Sequence, residues 1–279
     1  MTARTLLLTS LAMLAFAGNS LLCRVALRDT EIDPASFTAL RLLAGALTLA
    51  LLLRLRRGPS TLAGDWPGAL ALFAYAAAFS YAYVKLDAGA GALLLFAAVQ
   101  LSMIAWGLLR GERLSPLQVL GSALALAGLV GLLLPGSSTP QVTASLLMVV
   151  AGIAWGAYSL LGRGAGDPLA ATAGNFIRTL PISGVLCVVA MSTLTWDPAG
   201  VLFALLSGGL TSGVGYAIWY AALPRLAATQ AASIQLSVPL LTALAGSLLL
   251  EEPLTARLLI AGLAILGGIV LVLRARSRA

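Results

Sequence analysis

Two arginines of this 279-residue sequence, Arg41 and Arg178, lie inside apolar stretches. A cation in hydrocarbon costs about 2.5–3.5 kcal/mol on insertion scales, so each needs a reason to be there. One reason is chemical: a guanidinium can anchor a carboxylate or a phosphate. The other is structural: the side chain snorkels to an interface or bonds loop carbonyls. A second set of residues is polar and aromatic. Asn19 and Ser20 stand together, as do Tyr75, Phe79, Ser80, Tyr81 and Tyr83, then Phe96, Gln100 and Trp106. Trp155, Tyr158 and Ser159 follow, then Tyr216, Trp219 and Tyr220, and last Gln235 and Ser237. Tyr75, Phe79 and Tyr83 recur every four residues and so share one helix face, as do Tyr216 and Tyr220. Tyr and Trp suit a ligand with both polar and apolar parts. Trp66, Trp106 and Trp196 fit an aromatic belt at the two membrane interfaces instead.

Other chemistries lack their residues. There is no His, and the ten acidic residues fall in loops or at the ends of apolar runs. A buried-carboxylate proton relay is therefore disfavoured, although Asp87 or Glu252, close to loops, could take part in coupling. Cys23 and Cys187 have no CxxC spacing and read as buried structural thiols. No catalytic constellation, no metal site, no cofactor motif and no phosphate-binding loop is expected. Glu112 and Glu252 read as turn and helix-cap groups.

The elements that position these residues follow from composition. Hydrophobic residues make up 60% of the chain and charged ones 10%, against roughly a quarter charged in a soluble domain. Only a bilayer suits such a surface. Ten apolar runs are long enough to span one: 5–23, 36–53, 67–84, 88–109, 116–134, 142–161, 170–194, 199–221, 227–249 and 256–273. The first resembles a signal peptide around Ala15-Phe16-Ala17 but is read as an uncleaved helix. Ser115-Pro116 reads as a cap with a first-turn proline. The prolines at 59, 67, 135, 140, 168 and 198 mark other boundaries. Ala123, Ala127 and Gly131 read as a packing surface. Gly208, Gly209, Gly213 and Gly215 soften the eighth run, and Pro224 and Pro239 flank the ninth, so Gly208, Gly209, Gly213, Pro224 and Pro239 are hinge candidates.

The net charge of +7 is scattered singly, which speaks against nucleic acid. With the N-terminus inside, the inner segments hold Arg4, Arg54, Arg56, Arg57, Arg110, Arg113, Arg163, Arg225, Arg274, Arg276 and Arg278, and the outer ones Arg24, Arg28, Lys85 and Arg257. Eleven against four puts both termini in the cytoplasm, which requires an even number of spans.

Halfway along, the pattern restarts. Gly111-Glu112-Arg113-Leu114-Ser115 returns as Glu251-Glu252-Pro253-Leu254-Thr255, Lys85-Leu86 as Arg225-Leu226, and Arg41 as Arg178. Phe16-Ala17-Gly18-Asn19-Ser20 aligns with Trp155-Gly156-Ala157-Tyr158-Ser159. The division predicted is 1–138 and 139–279. Five helices per half is odd, so the second copy enters from the opposite side, an inverted repeat of the kind secondary transporters use for alternating access, with the site near the midplane. The symmetric arginines then read as structural.

The duplicated Glu-x-Leu-Ser/Thr turn before a Gly-rich last helix resembles the drug/metabolite transporter superfamily, above all its EamA-type bacterial exporters, and within these the YddG-type amino acid exporters. The resemblance implies an all-α integral membrane protein, a basket of ten helices around a central cavity. The fifth and tenth would be peripheral, and the first, third, fourth, sixth, eighth and ninth would line the cavity. The cavity candidates are then Asn19, Tyr75, Phe79, Tyr83, Gln100, Trp155, Tyr158, Tyr216, Trp219 and Gln235. The expected function is export of amino acids, aromatic ones included, or related amphipathic metabolites across the bacterial cytoplasmic (inner) membrane. The partners would be a small-molecule substrate and membrane lipid, in a monomer or homodimer. The alternatives are a drug, phosphorylated-metabolite or nucleotide-sugar carrier, with the arginines on phosphate, and an integral membrane enzyme, which the missing His and carboxylate clusters disfavour.

Overall fold

Helix starts are written into the chain as capped prolines. Asp33, Asp65, Asp167 and Asp197 each precede a proline by one or two residues, and each carboxylate accepts first-turn backbone N–H groups. This satisfies donors that lipid cannot satisfy and places negative charge at the positive end of the helix dipole. Ser115 and Gln118 form a reciprocal capping box behind Pro116.

A computed structural model has ten main helices among the described residues, five of them opened by these caps. The structure describes residues 2–56, 62–134, 140–162, 165–226, 231 and 234–274. The helices are α1 (Ala3–Asp29), α2 (Pro34–Leu55), α3 (Trp66–Tyr83), α4 (Ala88–Leu109), α5 (Pro116–Leu133), α6 (Val142–Leu161) and α7 (Pro168–Val189). Then come α8 (Pro198–Arg225), α9 (Ser237–Leu250) and α10 (Ala256–Arg274). Eight are long and apolar enough to cross a membrane; α3 carries too many Tyr and Trp, and α9 is shorter. The connections alternate between two faces. The near face is where α1 begins and α2 joins α3. The far face is where α1 joins α2 and α9 joins α10.

The halves interlock. α5 packs on α10, α2 on α7 and α4 on α9, while α3 with α6 is mirrored by α8 with α1. Each of these pairs joins one half to the other, as a two-fold axis between five-helix halves requires. The repeated turn survives in backbone detail. Gly111 and Glu251, equivalent in sequence, both adopt positive φ, 87° and 56°. The next residue, Glu112 or Glu252, donates its N–H to the carbonyl of Gly107 or Gly246.

Several expectations change. α1 runs past residue 23 to Asp29, because Arg24, counted among loop residues, is buried in the helix and fully bonded. Of the ninth span, Ser237–Leu250 is helical and so are Ala231, Ile234 and Gln235 ahead of it; its expected start at 227 falls on residues 227–230, 232 and 233, which lie outside the described residues. Ala123 and Ala127 are exposed and Gly131 faces open space. The packing face of α5 is instead Gly121, Ala125 and Gly128, against α10, where a Cβ on Gly128 would collide with Ala264 and Ile265. α5 and α10 are the most lipid-exposed of the long spans, as befits a peripheral pair.

Candidate functional site

Aromatic rings gather where the halves meet. On α3, the four-residue period sets Tyr75 at a tilt against Phe79 and Phe79 edge-on to Tyr83, with centroids 5.3 and 4.7 Å apart. Trp155 of α6 lies 4.8 Å from Tyr75, 5.4 Å from Tyr158 and 5.7 Å from Tyr216 of α8, nearly parallel to the last. Phe16 of α1 and Phe176 of α7 close on Tyr216. The Tyr158 hydroxyl donates to Thr172, which donates to the Tyr220 hydroxyl. Trp219 sits apart from the stack, in a smaller cluster with Phe16, Met13 and Val238.

Arg41 enters this assembly from α2. Its guanidinium carbon lies 5.1 Å from the Phe79 ring centroid, 5.9 Å from Tyr75 and 6.0 Å from Phe37. Nη2 donates to Asn19 Oδ1 at 3.3 Å, and the same oxygen accepts from Ser207 at 2.7 Å. Thr211 also reaches that oxygen, but its hydroxyl is nearer the Ser207 carbonyl. α8 can approach because it has no side chains there: a Cβ on Gly208 would overlap the Arg41 carbonyl, and one on Gly213 would meet Thr48. The backbone between Leu206 and Val214 is a π-helix, so α8 is both locally unwound and tightly packed at these glycines.

The two arginines are therefore not equivalent. Arg178 is half-buried near the near face and donates Nη1 to the carbonyls of Ala63 and Gly174. It is held by backbone carbonyls, whereas Arg41 meets an amide oxygen and three rings. α2 and α7, expected behind the lining, supply Arg41, Phe37, Thr172 and Phe176 to it, whereas α4 and α9 supply no ring of the stack. Gln100 and Gln235 are half-buried, and among the described residues no hydrogen bond ties them to the cluster. Pro239 occupies the first turn of α9, where its missing N–H costs nothing, and Pro224 a 3₁₀ turn. The interior proline is Pro181 of α7, which the sequence reading passed over. Ser207, Thr211, Phe176 and Thr172 were also missed; lone Ser, Thr and Phe residues in apolar runs have no signal of their own.

The two faces differ. On the near face a cleft of about 350 Å³ descends from Asp65 and Asp167 to Tyr158 and Asn175, at the edge of the ring stack. Gly64 bends there at φ 82°, and Asn175 Oδ1 accepts the Asp65 N–H. Arg56 pairs with Asp167 at 2.8 Å across the rim. On the far face a hollow of about 490 Å³ lies between the ends of α1 and α9, beside a cluster of ion pairs. Arg24 donates to Glu252 at 2.9 Å, to Asp87 at 3.2 Å and to the Tyr83 and Val84 carbonyls. Glu252 accepts the Ala88 N–H at 2.7 Å, capping α4. Burial pushes its carboxyl above the usual glutamate value, with Arg24 pulling the other way. Asp33 and Thr195 exchange backbone and side-chain bonds beside it. Glu112, the near-face counterpart of Glu252, is exposed.

Comparison with known proteins agrees with this architecture. A crystal structure with 23% sequence identity superposes with a TM-score of 0.65 over 94% of this chain and 97% of that one, which places the fold. An uncharacterized protein of Pseudomonas aeruginosa is 64% identical over 274 residues, 98% of this chain and 96% of its own. An uncharacterized transporter of Archaeoglobus fulgidus is 27% identical over 285 residues, 97% of this chain and 98% of its own. A probable terminal-alkyne amino-acid exporter of Streptantibioticus cattleyicolor is 27% identical over 192 residues, 67% of this chain and 64% of its own. The profile of the EamA-like transporter family matches twice, over residues 3–134 and 142–274. With ten apolar helices, interlocked halves and a profile matched once in each, this multi-span membrane protein belongs to the EamA-like transporter family.

Proposed function

We propose that the chain exports amino acids, or small amphipathic metabolites like them, across the bacterial cytoplasmic membrane by alternating access. The observation that carries this is the ring cluster between the halves, whose Tyr158 edge lines a cleft on the near face. Rings of Tyr and Trp accept a molecule with an apolar body and polar ends. On the far face the buried Arg24–Glu252 pair ties α1 to the turn between α9 and α10, as a gate would. The likeness to an amino-acid exporter supports the substrate class. In this reading the repeats divide at 138/139, both termini are cytoplasmic, and the cleft faces the cytoplasm. The binding residues are Asn19, Tyr75, Phe79, Trp155, Tyr158 and Tyr216. A phosphate carrier fits less well, because Arg178 is engaged by carbonyls and leaves one central cation for a dianion.

The test is flux in liposomes containing the purified protein, with a panel of radiolabelled amino acids. The expected result is saturable exchange of at least one, strongest for aromatic or large apolar side chains. Flux no faster than in empty liposomes for the whole panel would refute the substrate class.

A further inference from the structure

Arg41 is a buried cation without a counter-ion. Its relative exposure is 3%, and none of the ion pairs among the described residues includes it. Asp87 and Glu252 are bonded to Arg24. Nη1 is fully buried with no hydrogen-bond partner. The one bond made by Nη2 is long, to an amide oxygen shared with Ser207. The faces of Phe37, Tyr75 and Phe79 offset part of the desolvation. The Tyr75 hydroxyl also lies within reach of the guanidinium, but Nη1 itself has no hydrogen-bond partner of good geometry. A protein interior rarely leaves such donors unmet, because each costs what an unmade bond costs. By contrast Arg24, 17 residues earlier on the neighbouring helix, has every part of its guanidinium engaged. The fold satisfies one buried arginine completely and leaves the other open beside the ring stack.

We infer that Arg41 is the carboxylate anchor of the transported molecule, so that the substrate is a small monocarboxylate with an apolar or aromatic body. The carboxylate takes the free Nη1 donors, with charge −1 against the single +1. The body lies along Tyr75, which contacts both Arg41 and Trp155. Two carboxylate oxygens match the planar guanidinium fork, which a lysine ammonium does not reproduce. This inference rests on the transporter reading above, and it adds the chemical group that the site recognises.

It also implies that the empty site is unstable for its function's sake. Removing a structural arginine weakens a protein; removing an unpaired buried cation relieves it. The variants are therefore Arg41→Met, which keeps the apolar stem, and Arg41→Lys. Melting of each purified protein and inhibition of labelled L-phenylalanine exchange in liposomes are measured. The competitors are 3-phenylpropionate, which lacks the amine, and phenethylamine, which lacks the carboxylate. In the wild type 3-phenylpropionate should compete and phenethylamine should not. Arg41→Met should melt at or above the wild-type temperature, yet lose about tenfold to a hundredfold in affinity for both carboxylates, the range for losing charged hydrogen bonds. Arg41→Lys should fall between.

A lower melting temperature for Arg41→Met with unchanged competition would make Arg41 structural and overturn the inference. So would phenethylamine competing as well as 3-phenylpropionate. In either case amino acid exchange by the wild type would leave the transporter reading standing. A wild type that carries no carboxylate at all would overturn both.

Discussion

Arg24 and Arg41 are both buried in a protein that spans a bilayer, and what separates them is their partners. Arg24 meets Glu252 with both side chains more than nine-tenths buried. It also meets two carbonyls at the end of α3, which would otherwise face lipid or each other. Such a pair adds little over a well-packed apolar pair, but breaking it leaves an unpaired charge. Arg24→Ala should cost about 3–5 kcal/mol, seen as a fall of roughly 10 °C in Tm for the purified protein. A fall of less than about 3 °C would mean that water enters the far face and already solvates Glu252. Glu252 does a second task, capping α4 through the Ala88 N–H. The left-handed Glu251 turns the chain so that it can reach. Glu251 is the one described non-glycine residue with positive φ, a local cost of about 1 kcal/mol that this junction must offset.

Among the helices, α7 shows how a span is held at its ends. Asp167 caps it by accepting the Ala170 N–H and pairs with Arg56 of α2. Partial burial works against ionisation of its carboxyl, but the Arg56 guanidinium and the first-turn amides outweigh it and hold the carboxyl below the usual aspartate value. Because the folded value is depressed, the stabilisation is complete above the ordinary aspartate value, about pH 4, and is lost as pH falls through the lower folded one. Asp167→Ala should therefore lower stability by about 1 kcal/mol near neutral pH. The gap in Tm from wild type should stay level down to about pH 5 and close only below about pH 4. A gap that closed at higher pH would show that the cap contributes by some route other than its charge. Asp167→Asn, which retains the cap but not the ion pair, should lose less. Further along, Pro181 interrupts the ladder of α7, and the π-helix at Leu206–Val214 interrupts α8. These two interruptions flank Phe176 and Tyr216, whose rings touch. The points of weakest backbone order thus border the ring stack.

For the whole molecule, the two faces are built differently. The near face has a cleft and the exposed Glu112; on the far face Glu252, Arg24 and the contact between the α1–α2 and α7–α8 connections tie helix ends together beside the hollow between α1 and α9. If alternating access operates, that contact must part in each cycle. Glu31 and Thr195 are joined across it, the Thr195 hydroxyl donating to the Glu31 carbonyl. In a chain with Cys23→Ala and Cys187→Ala, the pair Glu31→Cys and Thr195→Cys should form a disulfide on oxidation. Exchange in liposomes should then stop and return on reduction. Undiminished exchange by the oxidised protein would show that the far face need not open there.

The sequence by itself determined the solvent, ten apolar runs of which eight became helices long enough to span, the capped start of α5, the proline boundaries of α3, α7 and α8, and the repeat. These depend on composition and local spacing, and local spacing is visible in one dimension. It also showed that Tyr75, Phe79 and Tyr83 share a face, since helical period alone places them. What it could not show was what each arginine meets. Its match of Arg41 with Arg178 does not hold in the structure: on two equally long helices that start at Asp33-Pro34 and Asp167-Pro168, Arg41 is the eighth residue and Arg178 the eleventh, so Asn175 holds the place equivalent to Arg41. Tertiary packing supplies carbonyls to Arg178 and rings to Arg41. The same is true of Glu112 and Glu252: one sequence motif, one exposed copy and one buried copy. A symmetric sequence encodes both faces alike. The asymmetry belongs to the folded state, in which Glu112 is exposed and Glu252 is buried against Arg24, and the ring cluster around Arg41 belongs to the tertiary structure alone.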